Sequence, residues 1–368
     1  MDPLLADLFK AYYDARRNKR NTPSALRFET RYESNLLKLY QEIRDRSYEL
    51  QPSICFIVNE PVKREVFAAD FRDRVVHHLI YNYIWPVFDR QFIYDSYSCR
   101  PGKGTLFGIR RLEHFIRSCS QNYRMDCYIL KMDIRGYFMS MDRALLFEMV
   151  MTGLVNSRFV ENLDLDLLQY LIRKTIFNDP TDGCIIRGHR SDWEGLPPTK
   201  SLFTALAGKG LPIGNLTSQL FSNIYLNELD QFVKRELKIK YYGRYVDDFF
   251  LIHPDREYLK NCIIWIREML SDKLRLELHP KKMYLQHYAK GVKFLGVLIM
   301  PWRTYPDRRV VNRLKAVLLE YFDATNSRDL FRYQCRVMSY IGLLRQHNTK
   351  TLLSRINQGL VDPSTNPG

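Results

Sequence analysis

Cysteine is sparse in pattern. The seven residues, at positions 55, 99, 119, 127, 184, 262 and 335, are odd in number and scattered, and never spaced as Cys-x-x-Cys. That argues against a disulfide framework or a structural zinc site and points to a reducing compartment. His77 and His78 are adjacent, so on a helix they project in different directions and suit core or surface roles better than a shared metal. No apolar run is long enough to span a membrane. Met1-Asp2-Pro3-Leu4-Leu5-Ala6-Asp7 lacks the basic and apolar regions of a secretory signal, so a cytoplasmic protein with no membrane contact is expected. There is no internal repeat and no long low-complexity segment. Acids are in short supply, 41 against 56 Lys and Arg, which leaves a net charge of +15. With 24 Tyr and 21 Phe, this balance suits a polyanion, since cations neutralise phosphates and rings stack on bases; a generally basic surface is the plainer alternative.

At 368 residues, 46% hydrophobic and 26% charged, the chain can build a large core and two or three subdomains. In so acid-poor a sequence, Tyr245-Val246-Asp247-Asp248 stands out. It lies between Ile239-Lys240-Tyr241-Tyr242-Gly243-Arg244 and the apolar run Phe249-Phe250-Leu251-Ile252, which predicts a hairpin with two acids at its tip, backed by a buried strand. Tyr128 to Asp133 alternates as a strand, with Asp133 on the face of Ile129 and Lys131. One acid on a strand and two on a neighbouring hairpin suit divalent ions. Nucleotidyl transfer uses two of them, roughly 3.5–4 Å apart, and Mg²⁺ takes a few carboxylates together with phosphate oxygens and water. An isolated Asp-Asp is commonly a turn or a solvated pair. The flanking strands and Asp133 point instead to a template-copying polymerase.

Residues 1–60 read as basic helices, with Leu36, Leu37, Tyr40 and Ile43 at helical spacing. Ala15-Arg16-Arg17-Asn18-Lys19-Arg20 is a cationic patch, either a solvated loop or a template contact. A helix is expected from Asp70 to Phe88. The Pro- and Gly-marked loop from Tyr94 to Thr105 then leads into a helix from Leu106 to Arg117, where Arg100 and Lys103 make a candidate phosphate seat. Helices around 143–175 precede a polar segment, 178–210, which reads as an inserted hairpin or loop. Leu211-Pro212-Ile213-Gly214-Asn215-Leu216-Thr217-Ser218-Gln219 opens a helix with Thr217 or Ser218 as its N-cap. An amphipathic helix covers about 256–273, Lys293 to Ile299 reads as a strand with a glycine bend, and 310–360 reads as helices.

Taken in order, these stretches resemble the reverse transcriptases. Asp133 with Phe138 matches the first catalytic motif. Ile213-Gly214, three residues, then Ser218-Gln219 stands where the template- and nucleotide-contacting motif belongs. Tyr245-Val246-Asp247-Asp248 matches the second catalytic motif. Lys282, after Leu278-His279-Pro280, looks like the basic residue of the next motif, and Phe294-Leu295-Gly296 is similar to the primer grip. The resemblance covers about residues 60–345. It implies an α+β right-hand polymerase fold with an antiparallel palm sheet and a helical thumb. The expected layout is a basic helical extension over 1–60, fingers over 61–125 and palm over 126–177. An inserted hairpin or loop with the fingers return follows over 178–212, then palm with the primer grip over 213–300 and thumb and tail over 301–368.

The same resemblance implies the site. Asp133 and Asp247 hold two Mg²⁺ ions, for which Mn²⁺ is a possible substitute, with the Ile134 carbonyl as an extra ligand and Asp248 as the third acid. Lys63 and Arg64 lie where fingers cations grip the triphosphate, and a bidentate guanidinium makes Arg64 the better candidate. Phe138 occupies the steric-gate position against a ribose 2′-hydroxyl, an ordinary core Phe being the alternative. Lys282 is the proton donor to the leaving pyrophosphate, with Lys281 beside it as a competitor. Partners are the RNA template, the cDNA–RNA hybrid and dNTPs. With the helices ending near residue 360, no room is expected for a ribonuclease H, maturase or endonuclease domain.

Most reverse transcriptases carry Gln-Gly, three residues, then Ser-Pro in the motif where this chain has Ile213 for the Gln and Gln219 for the Pro. That departure resembles the reverse transcriptases of diversity-generating retroelements in bacteria and phages. Tyr97-Ser98-Cys99-Arg100-Pro101-Gly102-Lys103-Gly104-Thr105 and Leu216-Thr217-Ser218-Gln219-Leu220-Phe221 look like that group too. The group copies a template-repeat RNA, misincorporates chiefly opposite adenine and feeds the cDNA into a variable repeat, usually with a small basic accessory variability protein. Segment 178–210 varies within it and is assigned no catalytic role. A Gln at position 213 can hydrogen-bond near the incoming nucleotide and an Ile cannot, and each lost 1.4 kcal/mol is roughly tenfold in selectivity. Ile213 merely packing behind Gly214 is the alternative. The rival functions are a retron or phage-defence reverse transcriptase, a catalytically idle RNA-binding scaffold, and an RNA-dependent RNA polymerase.

Overall fold

The structure is a computed structural model that describes residues 2–17, 21–60, 62–158, 163–322 and 327–361. Asn18, Lys19 and Arg20 of the cationic patch lie outside the described residues. In chain order the elements begin with α1 (Pro3–Arg16), α2 (Pro23–Glu29), α3 (Tyr32–Arg44), β1 (Ile54–Val58), β2 (Arg64–Ala68), α4 (Phe71–Asp89), α5 (Thr105–Cys119) and β3 (Tyr128–Met132). There follow α6 (Tyr137–Ser140), α7 (Arg143–Val155), α8 (Leu165–Phe177), β4 (Ile185–Ile186), α9 (Leu216–Gln231), β5 (Tyr241–Tyr245), β6 (Asp248–His253) and α10 (Arg256–Leu274). The last are β7 (Tyr284–His287), β8 (Val292–Phe294), β9 (Val297–Met300), β10 (Arg303–Pro306), α11 (Arg308–Phe322), α12 (Ser327–Leu344) and α13 (Lys350–Val361).

The chain parts into two compact units. The first comprises residues 1–104, 131–249 and 261–283. Its centre is α4, which buries Phe71, Val75, Val76, Leu79, Ile80, Ile84, Val87 and Phe88 and packs against α1, α8 and α9. Helix starts follow side-chain capping: Asp70, Asp142 and Asp164 accept from backbone amides of the first turns of α4, α7 and α8. Helix α9 departs from the expected capping. Asn215 is its N-cap residue, and Thr217 and Ser218 lie inside the first turn. The Thr217 hydroxyl is used sideways, 2.7 Å from Nδ1 of buried His77, while the Asn215 side chain accepts from Ala69 N at 3.2 Å.

Strands β2, β1 and β4 form a sheet in that order. Strand β1 is antiparallel to β2, pairing Ile54 with Ala68 and Val58 with Arg64, and parallel to β4. The polar segment expected as an inserted hairpin or loop is a loop with short ordered pieces. It supplies the two residues of β4 and then three short 3₁₀ turns. Its ends are tied together by Arg143, whose guanidinium donates to Gly210 O at 2.8 Å and to Asn178 O at 3.2 Å. The expected phosphate seat is also partly spent. Arg100 donates to Asp89 Oδ1 at 2.7 Å and to the carbonyls of Ile93 and Ser96, so it staples its own loop.

The second unit comprises residues 105–130, 250–260 and 284–368, described to residue 361. Strands β10, β9 and β8 form an antiparallel meander. Lys293 to Ile299 is therefore a tight hairpin and not one bent strand. Leu295 and Gly296 both take positive φ, 48° and 86°, at its turn, which reverses the chain as two-residue hairpin loops do. Phe250 meets Phe115 and Phe294 edge-on in the core. Leu314 and Val317 of α11 pack with Val337, Ile341 and Leu344 of α12. Among the described residues, none of the cysteines is joined in a disulfide. Among the described residues, no helix is long and apolar enough to cross a membrane.

Candidate active site

Asp247 sits on a strained turn. Between β5 and β6 only Val246 and Asp247 remain, and Val246 has φ 57°. A β-branched residue rarely tolerates that conformation, which costs of order 1–3 kcal/mol unless its surroundings enforce it. They do so here. Val246 N donates to Ser98 Oγ at 3.1 Å, and Val246 O accepts from Arg244 Nη1 at 3.0 Å. Arg244 is itself wholly buried and donates through Nε and Nη2 to the two carboxylate oxygens of Asp230 on α9. Tyr242 donates to the same carboxylate at 2.7 Å. The hairpin tip is thereby referenced to a helix through a buried polar network.

Asp133 follows β3 directly. Its carbonyl accepts from His279 N at 2.8 Å, Ile134 bridges Leu278, and Arg135 N donates to Glu277 O. This pairing brings the turn that carries Lys282 to the acid, with Lys282 Nζ 3.0 Å from Asp133 Oδ2. Lys131, two residues before Asp133 and on the same strand face, lies 2.8 Å from Asp248 Oδ2. Burial, then the neighbouring charge of Asp133, pushes the Asp247 carboxyl up to about 7. Burial raises Asp248 to about 6, with Lys131 acting against it.

Among the described residues, no group of three or more His, Cys, Asp or Glu forms a ready-made metal cage. Mg²⁺ seldom needs one, since it binds through one or two carboxylates plus waters and substrate phosphates. What the acids lack is informative. Asp133 Oδ1 and Asp248 Oδ1 are buried atoms with no hydrogen-bond partner, and Asp247 bears the repulsion of Asp133. A buried acceptor left unmatched costs about 1–3 kcal/mol. The donor set therefore fits a divalent cation: hard oxygen ligands, excess negative charge and unfilled lone pairs.

The nucleotide-binding candidates fall around β2. Arg64 is exposed on β2, and Lys63 just before it donates to Glu194 O at 2.6 Å. Phe138 lies on α6 and Ile213 precedes α9; both are half-buried against an apolar cluster of Cys55, Phe67, Met139 and Leu202. The Ile213 carbonyl accepts from Phe67 N at 2.9 Å. Gly214 approaches β2 so closely that a Cβ there would lie 2.9 Å from Val66 Cγ1, at φ 128°, so only glycine fits. Gln219 is exposed on α9. Phe294, Leu295 and Gly296 belong to the second unit, where Phe294 is buried and Leu295-Gly296 form the β8–β9 turn. Lys281 is exposed, and its backbone N donates to His279 Nδ1 at 3.2 Å.

Sequence reasoning gave no role to Lys131, Glu65, Asp230 or Ser98. Lys131 could have been found from its i−2 spacing to Asp133. Asp230 carried a fainter signal: an acid beside Leu229 on the inward side of a helix. Ser98 gave none.

The mixed helix and strand architecture is of the right-hand polymerase fold class. Residues 63–299 match the model for the reverse transcriptase (RNA-dependent DNA polymerase) family, and the chain belongs to that family. It is 25% identical over 276 residues to Protein YkfC of Escherichia coli K12, covering 66% of this chain and 65% of that one. It is 23% identical over 261 residues to the group II intron-encoded protein LtrA of Lactococcus lactis subsp. cremoris, covering 70% of this chain and 36% of that one. The chain thus spans just under two thirds of one relative and about a third of the other. Apo telomerase from Candida tropicalis is similar in fold, with a TM-score of 0.50 at 12% identity over 84% of this chain and 59% of that one.

Proposed function

We propose that this chain is an RNA-directed DNA polymerase whose centre is Asp133, Asp247 and Asp248. The observation that carries the reading is the pair of buried, unmatched carboxylate oxygens beside a third acid raised by burial and like charge. Asp133 and Asp247 would hold two Mg²⁺ ions, or Mn²⁺ in their place, with the Ile134 carbonyl and Asp248 as further ligands. Such ions activate the primer hydroxyl and offset the charge of the leaving pyrophosphate. The chain's own groups do the rest. The Arg244–Asp230 network fixes the Asp247 turn. Lys282 gives up its partner Asp133 and donates a proton to the departing pyrophosphate oxygen. Arg64 and Lys63 bind the triphosphate, Phe138 excludes a 2′-hydroxyl, Gly214 lets the backbone approach the pair, and Gln219 lies on the template side. Phe294, Leu295 and Gly296 hold the primer end. Fingers, palm and thumb follow the sequence boundaries given above.

Ile213 and Gln219 support a finer reading. The chain copies a template-repeat RNA with low fidelity at adenines, for diversification of a variable repeat, together with a small basic accessory protein in a bacterial or phage-infected cytoplasm. Primer extension on an RNA template with dNTPs and Mg²⁺ tests the activity, with Asp247→Ala as control. Equal inactivity of wild type and control, with the accessory protein supplied, counts against the enzyme and for an RNA-binding scaffold. A neighbouring repeat pair differing at template adenines separates the retroelement from a retron or defence enzyme, and a preference for rNTPs marks an RNA polymerase.

A further inference from the structure

Glu65 is fully buried in β2, and among the described residues no cation pairs with it. Its charge is met instead by three donors from one short segment. Trp193 Nε1 and Ser201 Oγ reach Oε2 at 2.6 and 2.7 Å, and the Leu202 backbone N–H reaches Oε1 at 2.6 Å. Dehydrating a carboxylate is costly unless its lone pairs are filled, and hydrogen bonds to an ionised acceptor are the strong kind. The segment is therefore bound tightly to β2. Side chains alternate along a strand, so anchoring Glu65 inward holds its neighbour Arg64 outward. Just before it, Lys63 reaches the same segment at Glu194 O, 2.6 Å away.

The segment's other contacts lie against the loop that follows Asp133. The Thr199 carbonyl closes over Gly136, where a Cβ would lie 2.8 Å from it at φ 54°. Leu202 belongs to the buried cluster with Met139, against which Phe138, Trp193 and Ile213 pack. Leu211 N, at the segment's return, donates to Phe138 O at 2.8 Å. One stretch of chain thus grips the strand bearing Arg64 and the turn bearing Phe138.

We propose that Glu65, with Trp193, Ser201 and Leu202, is a positioning clamp that sets the spacing between Arg64 and Phe138, and so the seat of the incoming nucleotide from triphosphate to sugar. This rests on the polymerase reading above. Loosening the clamp weakens the hold on the incoming nucleotide without touching the acids, a loss of ground-state binding that raises KM and leaves kcat little changed.

Single-nucleotide primer extension on an RNA template, with dNTP and rNTP titrations, tests the clamp. The enzymes are wild type, Trp193→Phe, Ser201→Ala and Glu65→Gln. Trp193→Phe keeps an aromatic ring, a smaller one, and removes the Nε1–H donor to Glu65. It is expected to raise KM for dNTP about tenfold and to lower the dNTP-over-rNTP preference, with kcat within about twofold and primer–template affinity unchanged. Should Glu65→Gln fail to fold, Trp193→Phe and Ser201→Ala decide. Variants that lose thermal stability yet keep wild-type KM and sugar preference overturn the proposal, because the segment then only braces the fold. A wild type that extends no primer removes the polymerase reading itself, an outcome distinct from a wild type and variants that extend alike.

Discussion

Arg244 donates through both arms of its guanidinium to Asp230, Nε to Oδ1 at 2.7 Å and Nη2 to Oδ2 at 2.6 Å, with neither side chain exposed. A buried ion pair is weak evidence for stability, since the cost of desolvation roughly cancels the attraction. Its use here is geometric, because a third nitrogen of the same guanidinium holds Val246 O. Arg244→Met leaves Asp230 buried without its cation, with Tyr242 still donating to it, and urea unfolding should show a loss of about 3–5 kcal/mol. The double change Arg244→Met with Asp230→Leu should recover most of that stability without recovering primer extension. Arg244→Lys keeps the charge but not the fork and should fall between. A double variant that regains full activity would show that the pair does not position the acids.

Val246 makes a second, opposite prediction. Replacing it by glycine removes the side chain that resists φ 57°. Released strain and the greater freedom of glycine in the unfolded chain are of similar size, so stability should change by no more than about 1 kcal/mol. Activity should nonetheless fall about tenfold or more, because Asp247 loses a fixed approach to its partners. A Val246→Gly enzyme with wild-type kcat in primer extension contradicts this role for the turn.

The acids also predict how metal-free protein responds to pH. The folded chain holds protons on Asp247 up to about 7 and on Asp248 up to about 6, whereas an unfolded Asp releases its proton near 4. The native state therefore binds more protons between about pH 4 and 7, and stability must fall as pH rises through that window. Urea melts in EDTA should show the decline, and Asp247→Asn should flatten much of it. At pH 7.5, Mg²⁺ should raise the melting temperature of wild type but not of an Asp133→Asn and Asp247→Asn double variant. A melting temperature indifferent to Mg²⁺ in wild type would argue against the metal site.

What was legible in the sequence follows from range. The Asp247 hairpin, the Asp133 strand, α4 and the helices between 310 and 360 announce themselves through local pattern. The features that were missed depend on partners far along the chain. Thr217 and Ser218 look like N-caps until His77 claims the Thr217 hydroxyl. Arg100 looks like a phosphate ligand until Asp89 is found beside it. Segment 178–210, polar and glycine-marked, reads as filler because its three donors to Glu65 are a Trp, a Ser and a main-chain amide from turns with no periodicity. Leu295-Gly296 hides its reversal because Leu at positive φ is a poor turn signal.

Ile213 carries the last prediction. It is half-buried against the cluster shared by Phe138, and its own carbonyl is already engaged by Phe67 N at 2.9 Å, so only its side chain is free to change the pocket. Ile213→Gln places an amide beside apolar neighbours, and an unpaired amide there should cost about 1–3 kcal/mol of stability. If the side chain turns instead toward the incoming nucleotide, it adds a polar check on the nascent pair. The expected result is a folded, slightly less stable enzyme whose misincorporation at template adenines falls about tenfold, the worth of one 1.4 kcal/mol contact in selectivity. Sequencing cDNA from wild type and variant on one adenine-rich template reads it directly. An unchanged misincorporation spectrum in a folded Ile213→Gln enzyme would falsify the link between this position and loose copying, and would leave Ile213 as packing behind Gly214.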